Sequence, residues 1–328
     1  MQVGVVGAGA VGGAIAAVLA RGGHAVEVTA RGEHLAAIQE HGIRLTGAWG
    51  EHTALVRAAT LLTQAPELVI VATKAQDAVA AIRENLRLLR GVPVIVVQNG
   101  LDGPANAKAA SPTSDIIGAL ATFASSYLSP GEVNVTAGGP TYVGVTAGND
   151  LPARYAVQVL DPVMPTSLVP NFVGAQWTKL VVNQVNALPA ITGMSVQEVV
   201  SNLRLRHIMT ASMRETVRVA LANRIHFEKV HGLGHRGLRM FSMLPLWLGQ
   251  ALPAVMSAQM GSTPNPGSTL QSIRRGQPTE IDALNGAVVR AAEARKHHAP
   301  LNAKLVDLVH EVEASGTFLT EDEVTDRF

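Results

Sequence analysis

The first half of the chain alternates short β-rich apolar runs with segments whose apolar residues recur at helical spacing. Gln2–Val6, Ala25–Thr29, Leu68–Ala72, Val92–Val97, Ile116–Ala119 and Glu132–Thr136 read as strands, apolar enough to lie centrally in a sheet. Gly13–Arg21, Glu33–His41 and Ala75–Leu89 carry helical periodicity among the first of them. Strand–helix–strand order of this kind predicts an α/β domain built on a doubly wound, mainly parallel sheet. Beyond Pro170 the β-rich runs stop, and helical spacing takes over in Ala175–Ala187, Val196–Asn223, Pro245–Gln259, Glu280–His297 and Asn302–Ala314. The pattern therefore predicts a domain over 1–170 and an all-α domain over 171–328, with the boundary in Leu168–Asn171, where Pro170 interrupts the periodicity.

Length and composition fit that division. The 328 residues are about twice one ordinary domain, 47% are apolar and only 16% charged, so a folded two-domain chain is expected. The formal net charge is +1 with scattered basic residues, which offers no footprint for nucleic acid or an acidic membrane surface. No cysteine is present, which excludes disulfides, thiolate catalysis and cysteine-ligated metal. No metal site is expected, and cytoplasm is the default compartment. Met1–Ala20 is apolar but lacks a basic leader and is broken by five glycines, so it reads as strand and turn rather than signal peptide. Met240–Ile273 carries no charged side chain, yet Pro245, Gly249, Gln250 and Pro253 argue against a membrane span. That stretch fits an interior helix or a homodimer interface equally.

Gly7-Ala8-Gly9-Ala10-Val11-Gly12 follows the first strand directly and opens a small-residue helix. In strand–turn–helix context this is the Rossmann dinucleotide fingerprint: Gly7 for the tight turn, Gly9 for close approach of a pyrophosphate, Gly12 for helix packing on the strand. The second strand ends Thr29-Ala30-Arg31. An acid at that tip would bind the ribose hydroxyls of NAD, whereas a guanidinium can clamp a 2′-phosphate, so NADP is favoured. Glu27 is the competing acid, but it lies inside the strand; Arg31 could also be an ordinary solvated loop arginine.

Lys74 stands just past one buried strand and Asn99 just past another. In doubly wound folds ligands bind beyond these carboxyl edges, which places both near a nicotinamide and substrate. In the helical half, Lys179, Asn183 and Asn186 fall on one helical face within an otherwise apolar segment. One charge and two amides are sparse for a solvent stripe and suit the wall of a ligand-binding cleft. Pro266 to Ser272 and Arg274 to Asp282 form a later polar pair of segments. There Thr279 reads as the cap of the next helix, with Glu280 at its first position and Asp282 at its third, where both carboxylates favour the helix N-terminus.

Together these segments resemble the ketopantoate reductase family over nearly the whole chain: Gly7 to Gly12, Thr73-Lys74, Asn99-Gly100, Trp177-Thr178-Lys179-Leu180 with Asn183, and Ser268 through Glu280-Ile281-Asp282. The resemblance implies a Rossmann domain joined to an all-helical one, NADPH as hydride donor, and reduction of 2-dehydropantoate to pantoate on the way to pantothenate and coenzyme A. It implies Lys179 as the catalytic lysine, Asn99, Asn183 and Ser268 as substrate contacts, and Glu280 as a residue near the reacting centre. Two positions depart from the family's pattern. Ala187 stands where a second asparagine is common, with Asn186 one residue early, and Ser272 where an aspartate is common.

Hydride addition leaves negative charge on the keto oxygen, which needs a proton donor. Lys179 is the best placed, and burial beside Trp177, Leu180 and Val182 should lower its pKa. Glu280 serves both this centre and the cofactor. Two rival readings share the scaffold: reduction of another 2-keto acid or derived imine, and a non-catalytic NADP-binding sensor.

Overall fold

Strands buried on both faces must be apolar at every position, and three here are: Leu68–Val71, Val94–Val97 and Val3–Val6. Alternate side chains serve opposite layers. Leu68, Ile70 and Ile95 pack with Ile15, Val18 and Leu19, whereas Val69, Val71 and Val94 pack with Ile82 and Leu89.

The computed structural model describes residues 1–261 and 263–328, and the chain divides into two units, Met1–Phe172 and Val173–Phe328. The first runs β1 (Gln2–Val6), α1 (Ala10–Arg21), β2 (Ala25–Thr29), α2 (Gly32–His41), β3 (Ile43–Gly47), β4 (His52–Ala54), β5 (Arg57–Ala59) and β6 (Leu68–Val71). There follow α3 (Ala78–Leu89), β7 (Val94–Val97), α4 (Gly103–Ala110), β8 (Ile116–Ala121), β9 (Ala124–Ser129), β10 (Glu132–Ala137), β11 (Thr141–Gly144), α5 (Leu151–Leu160) and β12 (Thr166–Leu168). The main sheet has the order β12-β11-β8-β7-β6-β1-β2-β5. It is parallel from β5 to β8, and β11 runs antiparallel to β8. The strand order reverses at β1, which is where a doubly wound sheet opens a crevice.

A second sheet, β4-β3-β10-β9, was not expected from the apolar pattern. Glu132–Thr136 belongs to it as β10, paired in parallel with β3, and is not a strand of the main sheet. Its Val133 and Val135 share one buried cluster with Ile43, Leu45 and the apolar side chains of α1. This explains why Ala14 to Leu19 are all buried: α1 has a sheet on each side.

The second unit is helical: α6 (Phe172–Asn183), α7 (Ala187–Thr192), α8 (Val196–Ser201), α9 (Leu203–Ala222), α10 (His235–Met243), α11 (Leu246–Gly249), α12 (Ala251–Gln259), α13 (Gly267–Arg274), α14 (Asn285–Glu293), α15 (Pro300–Ser315) and α16 (Glu321–Thr325). Three of the long helical readings break. Val196–Asn223 splits at Asn202, whose extended backbone and side chain cap α9 by accepting from Arg204 and Leu205 N–H. Ala175–Ala187 changes to a 3₁₀ turn over Gln184–Asn186, and Pro245–Gln259 becomes α11 and α12. Glu280 is not at the first position of an α-helix: a 3₁₀ turn, Ile281–Ala283, follows it and α14 begins only at Asn285. Of the uncharged stretch Met240–Ile273, Ser262 lies outside the described residues, and no described helix is long and apolar enough to cross a membrane.

The 3₁₀ turn after α6 is joined to α9, α14 and α15 by buried polar side chains. Gln184 Oε1 accepts from Ser212 Oγ at 2.9 Å and from Asn285 Nδ2 at 2.7 Å. Asn302 Oδ1 accepts from Asn285 Nδ2 at 3.0 Å and from Ser212 Oγ at 3.2 Å, while its Nδ2 donates to Glu215 Oε2 at 2.7 Å. Asn285, Asn302 and Ser212 are fully buried, so each lost bond strands a desolvated partner. Asn302→Ala is expected to lower unfolding stability by about 2–3 kcal/mol in urea denaturation. A loss below about 0.5 kcal/mol, the range of ordinary surface changes, would show the network to be dispensable.

Candidate functional site

In the first unit, the tip of β1 and the start of α1 form an anion cradle. Gly7 has φ +97°, and a Cβ there would meet Thr73 Cγ2 at 2.7 Å; at Gly12 a Cβ would meet Gly7 O at 2.0 Å. At Gly9 it would meet nothing within 4 Å, so the face before this residue is open to a close-approaching group. The turn is held from β2: Gly7 N–H donates to Thr29 Oγ1 at 2.9 Å and Ala8 N–H to Thr29 O at 3.0 Å. The first-turn N–H groups of α1, at Ala10, Val11 and Gly12, have no carbonyl before them in the helix and are the natural partners of a pyrophosphate.

Other groups brace the cradle. His34 Nδ1 accepts from Gly131 N–H at 2.9 Å, which leaves Nε2 to donate to Ala8 O at 2.7 Å. Ser125 Oγ donates to Ala10 O at 2.5 Å. Neither residue stands out in the sequence, because the second sheet that carries Ser125 and Gly131 has no strong apolar signature.

Arg31 sits immediately before α2 with its side chain 78% exposed and paired with Glu84 at 3.2 Å. An exposed pair of this kind is weak, so the guanidinium can exchange partners. Glu27 is 1% exposed and turned inward, where it accepts from Thr63 Oγ1 and from the N–H of Thr63 and Gln64. It is committed to the β5–β6 loop and does not reach the strand tip as a ribose ligand. Lys74 and Asn99, both partly buried, stand past the tips of β6 and β7. Gln98 ties those tips together through its Nε2 bond to Thr73 O at 3.1 Å. Thr73 Oγ1 and Gln98 Oε1 are buried without a hydrogen-bond partner among the described residues, as polar atoms beside a ligand site would be. The glycine cradle, the exposed arginine and these polar tips fit NADP.

In the second unit, α6 carries Trp177 and Thr178, both buried, and Lys179, partly buried. Burial lowers the Lys179 pKa to about 8, against the opposing charge of Glu280, which raises it. The fold thus brings Glu280 into electrostatic reach of Lys179 across a separation of about a hundred residues in sequence. Glu280 is held by backbone bonds from Ala283 and Leu284 N–H to its carbonyl, and the preceding Thr279 N–H donates to Glu313 Oε1 at 2.7 Å.

Asn183 ends α6, partly buried. Asn186 is buried, and its amide is engaged on both sides: Nδ2 donates to Asn183 O at 3.1 Å and Oδ1 accepts from Ser268 N–H at 3.2 Å. It therefore fixes Ser268 at the start of α13 and does not offer a free amide on the face of Lys179. A Cβ at Gly267, where φ is +71°, would meet Asn186 Oδ1 at 2.6 Å, so only glycine permits this junction. Ser268 itself is exposed.

His231 is a neighbour of Lys179 that the sequence reading missed. The loop after α9 is strapped to α6 by Thr178 Oγ1 donating to Glu228 O at 2.7 Å, and Val230 pairs with Leu233 around its tip. His231, with φ +51°, sits exposed at that tip; partial desolvation lowers its pKa, and the charge of Lys179 lowers it further. Such backbone strain in a non-glycine residue gathers at functional sites. No spacing relative to Lys179 announces it, since the loop meets α6 only through tertiary contacts.

The sequence matches two family models, "Ketopantoate reductase PanE/ApbA" over residues 3–148 and "Ketopantoate reductase PanE/ApbA C terminal" over residues 171–313. The 2-dehydropantoate 2-reductase of Pyrococcus abyssi is 26% identical over 317 residues, which is 96% of this chain and 98% of the relative. A PanE/ApbA family ketopantoate reductase from Ralstonia eutropha superposes with TM-score 0.78 at 27% identity, over 96% of this chain and 99% of that one. A D-mandelate dehydrogenase shares the fold, with TM-score 0.81 at 20% identity over 96% of this chain and 99% of that one. With both halves matched, the chain belongs to the ketopantoate reductase family of NADP-dependent oxidoreductases acting on a CH–OH group.

Proposed function

We propose that the protein reduces 2-dehydropantoate to pantoate with NADPH, and that Lys179 is the general acid. The observation that carries this reading is the lysine held in an apolar helix with a pKa of about 8 beside Glu280. At neutral pH such an ammonium is still charged, yet it gives up its proton far more readily than an exposed lysine. NADPH, when bound, supplies the hydride that adds to the keto carbon. Lys179 stabilises the negative charge that collects on the keto oxygen and passes it a proton. Glu280 keeps Lys179 cationic before the reaction and orients bound groups.

Asn183, Ser268 and Asn99 are uncharged donors and acceptors suited to the carboxylate and hydroxyl of the substrate, and Asn186 positions Ser268. Residues 7–12 hold the pyrophosphate, Arg31 clamps the 2′-phosphate, and Lys74 sits with Asn99 at the nicotinamide end. A related 2-keto acid is the second reading, favoured by Ala187. That residue is fully buried and offers no amide where the family commonly has one.

The test is steady-state NADPH oxidation with ketopantoate beside branched and straight 2-keto acids. Ketopantoate should give the highest kcat/KM, by about tenfold or more, the discrimination that a few apolar groups provide. In the same assay Lys179→Ala should lower kcat by about 10²–10⁴-fold with NADPH affinity retained. A wild-type rate in that variant would remove Lys179 from the chemistry, and a better rate with another acid would transfer the assignment to it.

For the cofactor, NADPH should bind more tightly than NADH, and Arg31→Ala should remove about 1–2 kcal/mol of the difference, since Glu84 competes for the guanidinium. Titration of both nucleotides against both proteins measures this. Equal wild-type affinities would contradict an NADPH preference.

A further inference from the structure

We propose that the helical unit carries a second binding site, for a small polyanion bearing phosphate or carboxylate groups, in a cavity along α9 that is separate from the Lys179 chemistry. The cavity is a half-open groove of about 400 Å³ between α9, α11 and the turn joining α14 to α15, with Arg218, His297 and His298 exposed along it. That volume lies within the usual range for small-molecule sites. Its lining sets the two cations Arg214 and Arg218 and the imidazoles of His297 and His298 against the single carboxylate of Glu215.

Glu215 does not neutralise the arginines. Its Oε1 accepts from Leu301 N–H at 3.2 Å, and its Oε2 from Asn302 N–H at 2.8 Å and Asn302 Nδ2 at 2.7 Å, so its charge is committed to the start of α15. Arg214 and Arg218 are one helical turn apart on α9, where like charges repel. Among the described residues neither makes an ion pair; each donates to a backbone carbonyl near the end of α10, Arg214 Nη1 to Leu244 O at 2.8 Å and Arg218 Nε to Ser242 O at 3.3 Å.

Those bonds have a structural purpose, since cations stabilise a helix C-terminus. One donor from each guanidinium meets it, however, and each has five. The bonds fix both planes and leave the other donors to a bidentate acceptor. Burial holds the Arg214 pKa below its ordinary range, and the charge of Arg218 lowers it further.

The opposite wall is the turn after α14. Lys296 has φ +57°, uncommon for a residue with a side chain, and His297 N–H closes the turn on Ala292 O at 2.9 Å, which sets His297 and His298 side by side. Leu246 and Val219 add an apolar surface. Two forked cations, two imidazoles and an apolar wall suit a compact ligand with two or more negative charges.

Isothermal titration of the full chain with pyrophosphate, and separately with citrate, tests the proposal. Saturating NADPH is present so that phosphate affinity in the nucleotide cradle does not contribute. At constant ionic strength at least one probe should bind saturably, and comparison of the two tells a phosphate site from a carboxylate site. Arg218→Gln and His297→Ala should each weaken binding, the former about tenfold or more, while Arg239→Gln, exposed on α10 and outside the cavity, should not. Should Arg218→Gln lose its native circular dichroism, His297→Ala decides. No saturable binding of either probe, unchanged affinity in the deciding variant, or an equal loss in Arg239→Gln would overturn the site.

Discussion

Gln184, Ser212, Asn285 and Asn302 lie in a helical core with almost no access to water, where the bonds they make to one another offset the cost of burying them. Their geometry constrains the rest of the unit. Gln184 meets Ser212 and Asn285 where α6 gives way to the 3₁₀ turn, with Asn183 the last α-helical residue and Asn186 turned toward Ser268. Asn285 pins the first residue of α14, and the 3₁₀ turn leading back from it sets Glu280 in reach of Lys179. Lys179 lies on α6, five residues before Gln184 in the turn that follows, so the same set of bonds anchors the end of its helix.

The two units solve their binding problems with different chemistry. In the first, glycine removes side chains where a phosphate must approach, and backbone N–H groups supply the donors. The support comes from Thr29, His34 and Ser125, whose hydrogen bonds shape the loop. In the second, the proposed chemistry rests on one cation, the partly buried Lys179. Desolvation pushes its proton off and Glu280 holds it on, and the balance leaves a lysine able both to stabilise charge and to release a proton. His231 has its pKa lowered by desolvation and by the charge of Lys179.

What the sequence disclosed follows from how locally each feature is encoded. Central strands and the Gly7 to Gly12 turn were readable because buried parallel strands are apolar throughout and a phosphate turn leaves a contiguous motif. The second sheet was not, because its strands are short and its β9, ASSYLS, is half-buried and polar. Asn202 was invisible inside an unbroken apolar period, since a cap changes backbone direction without changing periodicity. The buried network was hidden for a further reason. Gln184 and Asn285 are 101 residues apart, and a single amide within an apolar run looks the same whether it faces solvent or a partner. Asn186 shows the cost of that ambiguity: the helical wheel set it beside Lys179 and Asn183, whereas the 3₁₀ turn sends it to Ser268.

The central claim is that Lys179 acts as an acid whose pKa is set by burial against Glu280, and the pH dependence of kcat/KM for keto-acid reduction at saturating NADPH tests it most directly. The reactive form is the protonated one, so the profile should be level in the acid range and fall about tenfold per pH unit above a break near pH 8. Because Glu280 raises the lysine's pKa, Glu280→Gln should move that break to lower pH. A profile that stays level to the ordinary lysine value of 10.5, or a break that does not move when the Glu280 charge is removed, would contradict the account.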